Sequence, residues 1–373
     1  MKTHLIILAY LFAVTACCAQ DTQPLSSELR TDNPMRSRLD TLVDTRVRNY
    51  FKDKRAVGLS LGVVVNGKNF FYNYGETKQG NQALPNNTTL YEIGSMTKTF
   101  TGILLAQAVL ENKINIDDDI RKYLKGDYPN LAYQGTPVRI RDLANHTSRI
   151  TRIFPNLWER PDYKEDNPYS NYTRQLLYEG LHAMKMDTLP GKIYSYSNMA
   201  VGLLGCILED VYKELYFTLV STHILKPLKM SATTIDLTGV SSAGIAYPHT
   251  AERKPTSFWD VPALPALGAL RSNTADLVKY IIANNTDALR SIALSHQPTF
   301  GTTQEGMGYN WFLHTTPDGY RVFEHNGGTG GSRSSLQCIP QLGSGFVILS
   351  NSLADRNNLE KELLDMLIRR LKN

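Results

Sequence analysis

Residues 91–110 read YEIGSMTKTFTGILLAQAVL, a short polar start followed by a nearly continuous apolar run. The apolar run predicts a buried helix whose first turn holds Ser95. Residues three apart lie on one face of a helix, so Lys98 is expected beside the Ser95 hydroxyl. A partly desolvated amine can lose its charge and accept the serine proton. This stretch therefore predicts an activated nucleophile, and the backbone N–H groups at the helix start would favour a developing oxyanion.

A purely structural interpretation of Ser95 also exists. Ser-x-x-Lys is expected about once by chance in a chain of this length, and Ser is a common helix N-cap. Against this, Ser95 is the only Ser in the chain that has Lys three residues later, and it directly precedes the apolar run. We therefore favour the catalytic interpretation.

Tyr-x-Asn occurs three times, and only the copy at Tyr196-Ser-Asn198 leads into a second largely apolar helical pattern. In a catalytic interpretation, the Tyr196 phenol relays protons and the Asn198 amide binds a substrate carbonyl. In a structural interpretation, Asn198 simply caps the following helix.

A glycine-rich segment, Glu324-His-Asn-Gly-Gly-Thr-Gly-Gly-Ser-Arg333, follows a predicted strand. Its glycines would let a ligand approach the backbone closely, and His325 would add a donor of adjustable charge. A plain glycine-rich hairpin explains the segment equally well when it is considered alone.

The pattern along the chain changes twice. Helical spacing in residues 39–50 precedes two strands within residues 56–74, joined at Asn66-Gly67, which favours a type I′ hairpin. The middle of the chain is mainly helical, apart from a polar, aromatic stretch over residues 153–172 that is long enough to be a functional loop. Strand patterns return after about residue 268, and an amphipathic helix is predicted over residues 359–371. A sheet built from both ends of the chain is therefore expected.

Composition narrows the functional classes. The chain has 373 residues, of which 42% are hydrophobic and 20% charged, which excludes disordered, collagen-like and coiled-coil proteins. The formal net charge is +5 without any dense basic run, so nucleic acid is not an expected partner.

The first nineteen residues have the pattern of a signal peptide. Lys2 precedes ten apolar residues, Leu5 to Val14, about half of the roughly 20 needed to span a bilayer, and small residues follow. One interpretation is a bacterial lipobox that leaves a lipidated Cys17, and the other is ordinary cleavage after Ala19. Both predict export, either to the periplasm or as a lipoprotein of the outer envelope, with membrane association only through Cys17. Residues 20–36 are polar and predict a flexible tether.

Ser95-x-x-Lys98, Tyr196-Ser-Asn198 and His325-x-Gly327, in this order, resemble the serine acyl-transferases that include class C β-lactamases, penicillin-binding peptidases and related esterases. Supporting stretches at residues 139–148, 225–230 and 268–272 also resemble that family. The resemblance implies an α+β fold of the β-lactamase/transpeptidase type, an antiparallel sheet flanked by helices plus an all-helical lobe. The catalytic domain would cover residues 37–373, with an α/β lobe from about 37–85 and 265–373 and a helical lobe over about 86–264.

The same resemblance implies roles for single residues. Ser95 would be acylated, with Lys98 and Tyr196 as its proton-transfer partners. Asn198, His325, Gly327 and Gly328 would bind the substrate, and the N–H groups of Ser95 and Gly328 would form the oxyanion hole. No metal or organic cofactor is implied, and we expect a monomer.

Two departures from the family pattern bear on the substrate. Class C β-lactamases usually have Lys-Thr-Gly where this chain has His325-Asn-Gly327, and His is mostly neutral near pH 7, so efficient β-lactam hydrolysis is not expected. Arg149 follows Thr147-Ser148 where the family has Gly, and it is either a carboxylate clamp or, as we favour, a solvated surface charge.

The leading hypothesis is an exported serine hydrolase acting on a β-lactam, a D-Ala-type peptide or a related amide. The alternatives are a carboxylesterase on the same fold and an envelope sensor or binding protein that deacylates slowly.

The four cysteines do not predict two disulfides. Cys17 and Cys18 belong to the export signal, whereas Cys206 and Cys338 fall in a predicted helix and a predicted strand. The resemblance assigns these two elements to different lobes. We therefore expect two buried free thiols rather than a disulfide.

Overall fold

The computed structural model describes residues 29–370 and centres on one eight-stranded antiparallel sheet. The strand order is β2-β1-β12-β11-β10-β9-β8-β7. Strand β1, from near the start of the chain, therefore pairs with β12, from near its end. This arrangement confirms the predicted fold class. The strands are β1 (Gly58–Val65), β2 (Lys68–Gly75), β3 (Tyr91–Glu92), β4 (Ala132–Tyr133), β5 (Thr136–Pro137), β6 (Arg271–Ser272), β7 (Phe300–Gly301), β8 (Glu305–Met307), β9 (Phe312–Thr315), β10 (Arg321–Gly328), β11 (Arg333–Ile339) and β12 (Ser344–Ser350).

Nine α-helices lie within residues 29–370 and cover both faces of the sheet and the cleft region. They are α1 (Arg38–Tyr50), α2 (Thr97–Leu110), α3 (Ile140–Ala144), α4 (Arg174–Ala183), α5 (Asn198–Tyr212), α6 (Tyr216–Val220), α7 (Thr274–Asn285), α8 (Arg290–Ser295) and α9 (Asn357–Asp365). The predicted helix over 359–371 corresponds to α9 and a following π-helical turn, Met366–Arg370.

The first hairpin forms as its turn residues predict. Asn66 and Gly67 have φ values of 49° and 76°, the left-handed conformations that a type I′ turn requires at both central positions. The turn sets the register of β1 against β2, in which Val65 is opposite Lys68 and Gly58 is opposite Gly75.

Successive side chains along β1 and β12 point to opposite faces of the sheet and are buried on both. Leu59, Leu61 and Val63 pack with α1 and α9, whereas Val64 packs into the larger core that includes α2, α5 and α7. Because helices cover both faces, β12 is buried along its whole length. Tyr50 at the end of α1 also hydrogen bonds through its hydroxyl to Ser350 Oγ, 300 residues away, at 2.7 Å.

The middle of the chain is mostly helical but not entirely so, which corrects the expected all-helical lobe. The two-residue strands β4 and β5 pair with each other, and β3 pairs with β6, so this region is joined to the later part of the chain by backbone hydrogen bonds. Within the part of the chain described, no helix has the length and apolar character needed to span a membrane.

The prediction of a flexible tether over residues 20–36 is wrong for residues 29–36, the part of that range that the structure describes. The predicted signal peptide, Cys17 and residues 20–28 lie outside the described residues. Residues 29–36 pack along β2, where Asp32 accepts hydrogen bonds from the backbone and the side chain of Asn73 at 2.8 and 2.6 Å. The reason is that β2 is an edge strand whose outer polar groups need partners.

Cys206 lies in α5 and Cys338 in β11, and both are buried free thiols. The absence of a disulfide between these two residues agrees with the prediction.

Candidate active site

A cleft of about 790 Å³ lies between the end of β10 and the helical part of the chain. One wall consists of the β10–β11 hairpin, and the other comes from the segment that precedes α4 and from the start of α5. Its lining includes Gly94, Ser95, Arg152, Ile153, Leu157, Trp158, Tyr163, Glu165, Pro168, Tyr169, Tyr194, Tyr196, Asn198, Trp259, Leu267, Gly268, Phe312, Asn326, Gly327, Gly328, Thr329 and Arg333. The predicted functional loop over residues 153–172 thus supplies a large part of one wall.

Ser95 lies at the floor of this cleft in a short 3₁₀ turn, Gly94–Met96, that leads directly into α2. Lys98 is in the first turn of α2, and its Nζ lies 2.9 Å from Ser95 Oγ. The same Nζ donates a hydrogen bond to the carbonyl oxygen of Leu267 at 2.5 Å. The predicted pairing of serine and lysine on one helix face is therefore present in the structure.

The surroundings of Lys98 favour its uncharged form. The side chain is fully buried, and this desolvation lowers its pKa well below the ordinary value for lysine. The positive charge of Arg152 lowers that pKa further. A neutral amine has a free lone pair, so Lys98 can accept the Ser95 proton while still donating to Leu267.

Tyr196 lines the same cleft as Ser95 and lies close to Lys98. The Lys98 Nζ lies 5.2 Å from the centroid of its ring. Burial raises the pKa of Tyr196 despite a hydrogen bond with Ser95 that acts in the opposite direction. Tyr196 is therefore a neutral phenol near pH 7, able to donate a proton.

Asn198 is the first residue of α5, but it is not the helix cap. Ser197 is the N-cap, since its Oγ accepts the backbone N–H of Ala200 at 2.9 Å. The Asn198 backbone N–H donates to the carbonyl oxygen of Arg152 at 3.0 Å, and its Oδ1 is buried without a hydrogen-bond partner. The structural interpretation of Asn198 as a cap is thus wrong, and its Oδ1 remains available to the cleft.

The glycines of β10 allow two backbones to approach closely. A Cβ on Gly327 would lie 2.0 Å from the carbonyl oxygen of Ile93, and one on Gly94 would lie 2.8 Å from the nitrogen of Gly328. Only glycine fits at such distances, and Gly94 also has a φ of +48°. The end of β10 is therefore held against the turn that carries Ser95, which brings Gly328, a predicted donor of the oxyanion hole, against Gly94.

His325 lies behind the wall of the cleft rather than on its surface. It is 2% exposed, and its ring is 6.4 Å from that of Tyr196 and 5.2 Å from that of Phe312. Burial is the main cause that lowers the pKa of His325 to about 3, so the imidazole is neutral at physiological pH. This position does not support the predicted direct contact between His325 and a substrate.

Glu92 was not anticipated from the sequence, yet it joins three parts of the site. Its carboxylate accepts hydrogen bonds from Thr329 Oγ1 at 2.6 Å, from Ser332 Oγ at 3.2 Å and from the backbone N–H of Trp259 at 2.6 Å. Burial raises the pKa of Glu92. The residue fixes the β10–β11 hairpin to the segment that leads into Ser95.

The structure also assigns surroundings to two arginines near the cleft. Arg149, considered above as a carboxylate clamp or a surface charge, pairs with Asp187 at 2.7 Å and is not among the residues of the cleft lining given above. It has a φ of +63°, the conformation that the family's usual glycine adopts without cost. Arg152 instead faces the cleft, directly before the polar stretch over residues 153–172 that the sequence predicts as a functional loop.

Comparison with known families gives one match that covers most of the chain. A family model described as Beta-lactamase matches residues 43–368. Among solved structures, an octameric penicillin-binding protein homologue from Pyrococcus abyssi superposes with a TM-score of 0.77 at 22% sequence identity. The superposition covers 89% of this chain and 78% of that one, and it supports the fold.

Two curated relatives align with most of this chain. "Protein flp" of Staphylococcus aureus strain MW2 is 28% identical over 326 residues, which are 83% of this chain. The chain spans 62% of the length of that relative. The D-alanyl-D-alanine-carboxypeptidase/endopeptidase AmpH of Escherichia coli K12 is 26% identical over 373 residues, covering 94% of this chain and 92% of AmpH.

Proposed function

Because this chain belongs to the Beta-lactamase family, we propose that it is an exported serine hydrolase that forms an acyl-enzyme on Ser95. The observation that carries the proposal is the contact of 2.9 Å between Ser95 Oγ and the buried amine of Lys98. The substrate is an amide of the D-alanyl peptide type, derived from peptidoglycan, or a related small amide such as a β-lactam. The similarity to AmpH supports the peptide over the other amides.

Acylation uses the three side chains in sequence. Lys98 accepts the Ser95 proton as Oγ attacks the substrate carbonyl carbon, and the N–H groups of Ser95 and Gly328 bind the oxygen that becomes negative. Tyr196 donates its proton to the leaving nitrogen as the carbon–nitrogen bond breaks, and Lys98 returns a proton to the phenol. The raised pKa of Tyr196 suits this role, because the phenol holds its proton until the leaving group needs it.

Deacylation reverses the proton transfers with water in place of the leaving group. A water molecule attacks the acyl carbon, its proton passes through Tyr196 to Lys98, and Ser95 recovers its proton when the ester bond breaks. No group other than Ser95, Lys98 and Tyr196 needs to change protonation state.

A carboxylesterase on the same site is the second candidate, and the state of His325 favours it over a β-lactamase. A neutral imidazole behind the cleft wall supplies no cation for the carboxylate of a β-lactam. An ester leaving group also asks less of a general acid than an amide does.

The test compares the protein with its Ser95→Ala variant on a D-Ala-D-Ala peptide, a short-chain nitrophenyl ester and a chromogenic cephalosporin. Ser241→Ala is the matched control, since Ser241 is exposed and is not among the cleft-lining residues. Intact-mass measurement of each reaction then shows whether an acyl group remains on the protein.

Release of D-Ala that is lost in Ser95→Ala and kept in Ser241→Ala supports the peptidase. Ester cleavage alone supports the esterase, and a persistent adduct without turnover supports a slow-deacylating sensor. Turnover that survives in Ser95→Ala would refute the acyl-enzyme mechanism.

Export rests on the pattern of residues 1–19. The intact mass of protein recovered from the cell envelope distinguishes a chain that begins at Gln20 from one with a lipidated Cys17. The expected monomeric state remains a prediction, to be measured by light scattering on the mature protein.

A further inference from the structure

Arg152 presents a positive charge to the cleft from the helical side. Its side chain is exposed, and its guanidinium carbon lies 5.1 Å from the centroid of the Tyr196 ring. Its carbonyl oxygen accepts the backbone N–H of Asn198 at 3.0 Å, which fixes the Arg152 backbone at the start of α5. Stacking on a phenol ring orients the guanidinium without neutralising it.

No acidic side chain neutralises Arg152 within residues 29–370. Its neighbours in the chain differ in this respect, because Arg149 pairs with Asp187 at 2.7 Å and Arg160 with Asp162 at 3.1 Å. Glu165 is the acid among the cleft-lining residues named above, and it is exposed and makes no ion pair with Arg152. The guanidinium therefore keeps free donors that point into the cleft.

The charge of Arg152 acts on the buried groups behind it. It adds to the effect of burial in lowering the pKa of Lys98, and it contributes to the lowered pKa of His146, a buried ring that packs against Tyr196. The field of Arg152 thus reaches the catalytic groups, as expected for a cation that no nearby acid balances.

The position beside Asn198 indicates which part of a substrate Arg152 meets. Arg152, Tyr196 and Asn198 form one wall, whereas Gly327 and Gly328 belong to the opposite one. Asn198 Oδ1 is buried without a partner and can accept an N–H from the acyl part of a substrate. A group attached to that acyl part would lie next to Arg152.

We propose that Arg152 binds a carboxylate carried on the acyl part of the substrate, so that the enzyme prefers acyl donors with an acidic side group. This inference rests on the proposed acyl-enzyme function. A guanidinium with free donors binds a carboxylate through two parallel hydrogen bonds, which gives both charge and geometric selectivity. The chemical class is an acidic residue of a peptide, or a monoester of a dicarboxylic acid.

The experiment uses three nitrophenyl esters that differ in whether they carry a carboxylate and in which part of the molecule carries it. The 4-nitrophenyl monoester of glutaric acid carries it on the acyl part, the 4-nitrophenyl ester of valeric acid has the same chain length without it, and a valerate ester of a carboxylated nitrophenol carries it on the leaving group. The measured quantity is the ratio of kcat/KM for the glutarate to that for the valerate. The proteins are the wild type, Arg152→Gln, Arg152→Lys, Ser95→Ala and Arg149→Gln, the last being a matched loss of charge three residues away.

We expect Arg152→Gln to lower this ratio about ten-fold, Arg152→Lys to lower it less, and Arg149→Gln to leave it unchanged. Raising the ionic strength from 0.05 to 0.5 M should lower the ratio in the wild type and not in Arg152→Gln. A ratio that does not change in Arg152→Gln overturns the inference, as does a loss confined to the ester with the carboxylated leaving group. If the valerate is hydrolysed equally well by Ser95→Ala, the proposed function itself fails, so the two failures are distinguishable.

Discussion

The substitution Lys98→Met should abolish activity and at the same time stabilise the fold in a pH-dependent manner. Methionine reaches as far as the Cε atom of lysine and lacks the amine, so the apolar packing of the side chain on α2 is largely preserved. Loss of a general base costs about 10² to 10⁴-fold in rate, and we expect kcat/KM for a nitrophenyl ester to fall by about 10³-fold. The stability effect follows from the burial of the amine.

The size of the stability effect depends on how many protons each state binds. In the unfolded chain Lys98 titrates near its ordinary pKa of about 10.4, whereas the folded protein holds that pKa well below the ordinary value. Between these two pKa values folding releases a proton, so the wild type gains about 1.4 kcal/mol of stability for each unit of rising pH. Folding with a neutral Lys98 therefore costs about 3 kcal/mol at pH 8 and about 1 kcal/mol at pH 9.5. The methionine variant avoids this cost but leaves the carbonyl of Leu267 without its donor, a loss of about 1 kcal/mol.

Urea unfolding of both proteins at pH 8, 8.5, 9 and 9.5 measures this difference directly. The free energy of unfolding of Lys98→Met should exceed that of the wild type by about 2 kcal/mol at pH 8, and the difference should vanish near pH 9.5. Lys185→Met is the matched control, because Lys185 is exposed in the folded protein and its loss should give no such slope. A difference that stays constant over this range would show that Lys98 is charged in the folded protein, and the role of Lys98 as a base would then be refuted.

Four further predictions address other parts of the site. His325→Gln should make the fold less sensitive to acid, because the pKa of His325 is about 3 in the folded protein and about 6.5 in the unfolded chain. Between pH 6 and pH 4, the free energy of unfolding of the wild type should therefore fall by about 2 to 3 kcal/mol more than that of the variant, as measured by urea unfolding. Glu92→Gln replaces one of the two acceptor oxygens, which receive three hydrogen bonds, by an NH₂ group that can only donate. The variant should therefore lose about 1–3 kcal/mol of stability and show a lower kcat/KM for the ester. Arg152→Gln removes a charge that lowers the pKa of the buried lysine, so the acidic limb of the kcat/KM profile should move to higher pH; an unmoved limb would contradict this coupling. Thiol titration of a chain that starts at residue 29 should find Cys206 and Cys338 unreactive when folded and two thiols in denaturant, and a count of zero in denaturant would reveal a disulfide.

Local patterns in the sequence predicted the elements of the site well. The i, i+3 spacing of Ser95 and Lys98 is a property of one helix, and the Asn66-Gly67 turn is a property of two residues. Both depend on backbone geometry that neighbouring residues determine, so the structure reproduces them.

Contacts between distant segments could not be predicted in this way. The pairing of Arg149 with Asp187 joins residues 38 positions apart, and the choice of Ser197 rather than Asn198 as cap depends on where the chain enters α5. The burial of His325 likewise follows from Tyr196 and Phe312, which approach it from other parts of the chain. Tertiary packing decides each of these features, and a single sequence does not show that packing.

The pairing of β1 with β12 also has a consequence for how activity appears as the protein is made. The nucleophile turn at Gly94–Met96 is synthesised early, but the wall that faces it, with Gly327 and Gly328, is joined through β11 to β12. Closing contacts over such sequence distances is slow relative to forming local helices. A ribosome-bound or truncated chain that lacks residues 321–350 would thus carry Ser95 and Lys98 without Gly328, one of the two proposed oxyanion-hole donors. Under the proposed mechanism, Ser95 would become reactive only after nearly the whole chain has folded, which would delay the appearance of activity until synthesis is almost complete.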